Sequence, residues 1–140
     1  MTTSCKIINQ RVNILEFFVK YHYDTLQEMK LLYNHNSKRT SHYSLSEVKT
    51  LVEHNSVQPT QTAIKGAHAL GLSITEMYDV ILGLQNKDFS VSKVDERNHK
   101  LWQDAYKKEI NGVEVYIKFQ VKEIAGKKLL LLSFKENTRF

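Results

Sequence analysis

The chain has 140 residues, 41% hydrophobic and 25% charged, which suits one globular domain with an appendage and lies far from disordered, collagenous or membrane compositions. A single cysteine, Cys5, excludes a disulfide framework and fits a reducing compartment. No apolar run reaches membrane-spanning length and no signal-peptide pattern is visible, so a cytoplasmic protein without membrane contact is expected. The net charge of +5 is uneven: residues 1–85 hold 8 Lys and Arg against 7 Asp and Glu, whereas residues 86–140 hold 12 against 8. A basic last third suggests a polyanionic partner, nucleic acid above all, against the plainer reading of a lysine-rich solvated surface.

In chain order, Val12, Leu15, Phe18, Val19, Leu26, Met29, Leu32 and Tyr33 recur at helical spacing and predict one long helix in an extension over 1–36. It is read as docked on its own domain, with a partner-binding helix, or initiation at Met29, as alternatives. The polar stretch Asn34 to Ser41 is a linker. From residue 37 a second region begins. Ser44-Leu-Ser-Glu47 is a capping-box pattern, and Leu45, Val48, Leu51 and Val52 continue it as a helix to about Glu53. Pro59 breaks the chain. Ile64, Ala67 and Leu70 predict a second helix ended by Gly71. Ser73-Ile-Thr-Glu76 starts a third, carrying Met77, Val80, Ile81 and Leu84.

After Asn86 the period changes from helical to alternating. Phe89 to Val94, Leu101 to Ile110, Val113 to Lys122 and Leu129 to Lys135 are predicted strands, with turns at Gly112 and at Ala125 to Lys128. In the third, Val113, Val115, Ile117, Phe119 and Val121 share a buried face, and Glu114, Tyr116, Lys118, Gln120 and Lys122 share a wet one. The run Leu129 to Leu132 predicts burial on both faces. If Trp102, Asp104 and Tyr106 lie on one face of their strand, Gln103 and Ala105 lie on the other. The fold expected is α+β, with helices packed on an antiparallel sheet.

The six histidines are not spaced as zinc-ligand pairs, and there is no glycine-rich phosphate loop or Gly-x-Ser-x-Gly, so neither metal nor cofactor is expected. The wet face carrying Tyr116 and Lys118 is the one pattern with chemical content. Ammonium groups beside a phenol favour its phenolate, which predicts a lowered Tyr116 pKa. Such a tyrosine could exchange a proton with a ribose 2′-hydroxyl or a leaving 5′-oxygen, while lysines neutralise the phosphate. The plainer reading is an ordinary solvated sheet face, with Lys135 as a charged strand end. No helix-turn-helix with basic recognition residues is visible, which leaves a transcription factor little support.

At these residues the chain resembles the MqsR toxin family, the motility quorum-sensing regulator toxins of bacterial toxin–antitoxin systems. The likeness runs from about Lys38 to Asn137 and includes Ala69-Leu-Gly-Leu72, Val80-Ile-Leu-Gly-Leu84, Leu101-Trp-Gln-Asp-Ala-Tyr106, Val115-Tyr-Ile-Lys118 and Leu132-Ser-Phe-Lys-Glu136. It implies a RelE-like fold, a metal-independent endoribonuclease cutting mRNA around GCU, and a cognate MqsA-like antitoxin. The residues it marks are Gln103, Tyr116 and Lys135. Where the family carries a further lysine this chain has Val91; Lys93, two residues on, points to the same side of a strand and is the candidate replacement. Lys118, Lys122, Arg97 and Lys100 are expected to hold RNA. Two readings stay open: an active mRNA-cutting toxin with Lys93 in the missing place, or a catalytically weakened homologue that binds RNA or antitoxin.

Overall fold

In the computed structural model, residues 37–123 and 125–138 are described; the long helix expected within 1–36 lies outside them. The chain divides into two units between Lys38 and Arg39, and the two-residue strand Ser37–Lys38 belongs to the first. Among the described residues from Arg39 onward there are three α-helices: α1 (Leu45–Glu53), α2 (Gln61–Ala69) and α3 (Ile74–Leu82). Strands β1 (Val57–Pro59), β2 (Phe89–Val94), β3 (Trp102–Ile110), β4 (Val113–Glu123) and β5 (Lys127–Glu136) lie in the order β2-β3-β4-β5-β1. Strand β1 runs parallel to β5, and every other pairing is antiparallel.

Each helix starts on a hydroxyl that accepts a backbone N–H of its first turn: Ser44 from Glu47, Thr60 from Ala63, Ser73 from Glu76. Only Ser73–Glu76 closes the full reciprocal box. At Ser44 the expected box is half formed, because the Glu47 carboxylate turns outward to Lys127, 2.7 Å away. Gly71 takes φ +76 just beyond α2, where its N–H closes on the His68 carbonyl. Asn111 and Gly112 both take positive φ in the β3–β4 turn, the backbone that two-residue hairpins favour.

The helices cover one face of the sheet. Val48, Val52, Ala63, Ala67, Met77 and Ile81 meet Tyr106, Val115, Ile117, Phe119, Leu129, Leu131 and Phe134 in one core. Helix α2 lies close enough to β5 that a Cβ on Gly66 would stand 1.8 Å from the Phe134 carbonyl oxygen. Among the described residues from Arg39 onward, no helix lies on the other sheet face.

Strand β1 was not expected from the sequence around Pro59. It is three residues long and pairs with a strand some seventy positions later, so no local pattern marks it; proline fits there as an edge residue. Leu129 to Leu132 also differ from expectation. Leu129 and Leu131 are fully buried, but Leu130 and Leu132 are half-buried and line the open face.

Candidate active site

The open face is built by alternation, corrected by two bulges. On β4 the side chains of Val115, Ile117, Phe119 and Val121 enter the core, which leaves Tyr116, Lys118, Gln120 and Lys122 opposite. On β3, Asp104 and Tyr106 are buried against the helices, so Gln103 and Ala105 face outward, as the alternation predicts. On β2 the register slips between Phe89 and Val91, where Ser90 is the extra residue. Phe89 therefore packs on Tyr106, while Val91 and Lys93 look to the open side.

The second bulge decides the position of Lys135. Lys118 pairs with Ser133 and Phe119 with Leu131, so Leu132 is the extra residue on β5. Without it, Lys135 would share the parity of Leu129 and Leu131 and point into the core. With it, Phe134 is buried and Lys135 stands directly across from Tyr116. Thr60 pins this bulge: its hydroxyl donates to the Leu132 carbonyl at 3.0 Å and its N–H to the Leu131 carbonyl at 3.0 Å.

Together these strands floor a concavity of about 800 Å³. Tyr116, Gln103, Lys93, Lys118, Lys122 and Arg97 all line it. Lys93 pairs with Gln103 across β2 and β3, and Val91 pairs with Ala105 one row along. Lys135 borders the same face through its pairing with Tyr116. Lys100 is exposed on the β2–β3 turn, outside the lining. That turn is self-braced: Asp95 accepts the Arg97 N–H at 2.8 Å and a side-chain hydrogen bond from Gln103, which lower its pKa despite some burial. Asp95 thereby tethers Gln103, a link with no signature in sequence spacing.

Electrostatics corrects one expectation. Burial raises the Tyr116 pKa above 10.0, rather than flanking cations lowering it. The phenol is half-buried on the sheet, and the cause is loss of water around a would-be phenolate. The pKa that falls is that of Lys118, through burial first and then the charge of Lys135. Gln120, expected on the wet face, lines the concavity but is only 2% exposed, and its Oε1 has no hydrogen-bond partner among the described residues. Among the described residues no three His, Cys, Asp or Glu side chains gather as a metal-binding set, and no helix is long and apolar enough to cross a membrane.

Fold and site define an α+β protein whose open sheet face is concave, cationic and furnished with a protonated phenol, suited to a phosphate-bearing polymer. Residues 40–136 match the family described as motility quorum-sensing regulator, toxin of MqsA. The chain is 39% identical over 99 residues to the mRNA interferase toxin MqsR of Escherichia coli (strain K12), an overlap of 71% of this chain and 97% of that protein. The chain belongs to the MqsR toxin family.

Proposed function

We propose that this protein is the toxin of a toxin–antitoxin pair and a metal-independent endoribonuclease that cuts mRNA, at GCU-like sites, to arrest translation and growth. Its fold is read as RelE-like, its place as the cytoplasm, its partner as an MqsA-like antitoxin, and residues 1–36 as an N-terminal extension to the toxin domain at 37–140. The observation that carries the reading is one concave face holding Tyr116, Gln103, Lys93 and Lys118, with Lys135 across from Tyr116. The similar mRNA interferase supports it.

RNA brings its own nucleophile. Attack of a 2′-hydroxyl on the adjacent phosphorus forms a 2′,3′-cyclic phosphate and expels the 5′-oxygen. Tyr116 keeps its proton through the neutral range, because its pKa lies above 10.0, so its role is general acid to that 5′-oxygen. Lys135 and Lys93 neutralise charge developing on the phosphoryl oxygens, and Gln103, held by Asp95, orients the group. Lys122 and Arg97 track the neighbouring phosphates, with Lys100 at the rim.

The test is cleavage of mRNA by the purified full chain in the presence of a chelator, with mapped ends. Cutting persists with chelator, and Tyr116→Phe and Lys135→Ala each slow it by about a hundredfold or more. Unchanged cutting in both variants would sink the assignment of the site. Val91, where the family carries a lysine, favours the second reading, a weakened homologue. Retained RNA or antitoxin binding without cleavage by the wild-type chain would select it.

A further inference from the structure

We propose, resting on the ribonuclease reading above, that Lys118 is the general base of the site, its neutral amine taking the proton of the attacking 2′-hydroxyl. Cleavage without a metal needs a proton acceptor at the 2′-oxygen as well as a donor at the 5′-oxygen. Tyr116 suits only the donor. Asp95 is the rival acceptor, but its carboxylate already accepts the Arg97 N–H and the Gln103 side chain, so it holds a proton poorly. Glu96 lines the concavity but is exposed on the turn, and the exposed His99 ring, with Nδ1 3.3 Å from the Asp95 carbonyl oxygen, is outside the lining.

Lys118 occupies the centre of the face. Its strand neighbours are Ala105 on β3 and Ser133 on β5, two small side chains that leave its long stem room. Tyr116 precedes it on the same face of β4, about 7 Å away along the strand. Charged groups approach from every side. Lys135 comes diagonally from β5, Lys107 diagonally from β3, Lys93 from β2, Asp95 and Glu96 from the turn, and Lys122 from its own strand. Burial and the charge of Lys135 make the ammonium costly; Asp95 opposes them, Lys93 adds to them and Glu96 opposes, with a lowered pKa as the result.

In the step, the O2′–P bond forms as the P–O5′ bond breaks. The 2′-hydroxyl proton passes to Lys118 Nζ, and the Tyr116 proton passes to the departing 5′-oxygen. An ammonium and a phenolate are left side by side, and return of one proton from Lys118 to Tyr116 restores both.

The experiment measures single-turnover RNA cleavage against pH for the full chain and for Lys118→Arg, which keeps the charge and cannot give up its proton at these pH values. Affinity for the same RNA with a 2′-deoxy sugar at the cut checks that the variant is folded. Wild-type cleavage rises with pH and levels off once Lys118 is neutral. Lys118→Arg binds the uncleavable RNA normally, cuts about a hundredfold more slowly and loses the levelling-off. NMR titration of 13Cε-labelled lysines shows one resonance titrating below the ordinary value of 10.5, absent from Lys118→Arg and moved to higher pH in Lys135→Ala. An unchanged rate and pH profile in Lys118→Arg, or lysines that all titrate together, overturns the base assignment and leaves the ribonuclease reading standing. Failure of the wild-type chain to cut any RNA overturns both.

Discussion

Asp104 has no access to water, yet it sits on a strand whose outward neighbours, Gln103 and Ala105, face the concavity. A buried carboxylate is tolerated only when its oxygens are occupied. Here the His42 N–H reaches both oxygens, at 3.1 and 2.9 Å, and the Tyr43 N–H reaches one at 2.9 Å. These bonds anchor the approach to α1 onto β3, helped by the Tyr43 hydroxyl donating to the Trp102 carbonyl at 2.8 Å. Asp104→Ala removes the acceptor that both N–H groups reach and is expected to cost about 3 kcal/mol in urea unfolding. Asp104→Asn retains an acceptor oxygen and is expected to cost about 1 kcal/mol. Equal stability of the alanine variant and wild type would show that the carboxylate is no anchor. The same alternation read from sequence placed Trp102, Asp104 and Tyr106 together, but it carried no information on what Asp104 binds, since its partners lie about sixty residues away.

At the scale of elements, the junction of α2 with β5 controls Lys135. Thr60 is both the N-cap of α2 and the clamp on the Leu132 bulge. Gly66, one helical turn and a half further on, lets the helix backbone lie against the Phe134 carbonyl beside Lys135. Gly66→Ala must push the helix from the strand, with an expected loss of about 2 kcal/mol, read as a lower thermal midpoint. Thr60→Val removes the cap and the clamp together while keeping the shape; it is expected to cost about 1–2 kcal/mol. It should also slow cleavage at temperatures where the protein remains folded, because the bulge that turns Lys135 outward loses its hydrogen bond. Folded Thr60→Val cutting at the wild-type rate would separate the bulge from activity. The helices and their caps are readable locally, in Ser73–Glu76 above all. The bulge is not, because which residue is extra depends on the register of β4 against β5.

Across the unit from Arg39 onward, the three described helices gather on one sheet face, and the other carries Tyr116, Gln103 and several lysines. If that face holds single-stranded RNA through about four phosphates, the logarithm of affinity falls with the logarithm of salt at a slope of about −3. Lys122→Ala is expected to reduce the slope by about one phosphate's share, about 0.7, without changing the cleavage site. A salt-independent affinity would show that the cationic face is not where RNA lies. Local periodicity and single-residue backbone preferences were enough for the α+β division, the helix starts, the hairpin at Gly112 and the shared face of Tyr116, Lys118, Gln120 and Lys122. Tertiary structure alone decided the short β1 strand, the outward turn of Lys135, the tether from Asp95 to Gln103 and the sign of the Tyr116 shift. Those depend on register between distant segments and on how much water the assembled face excludes, and burial on that face moves its two central groups in opposite directions, the Tyr116 phenol up and the Lys118 ammonium down.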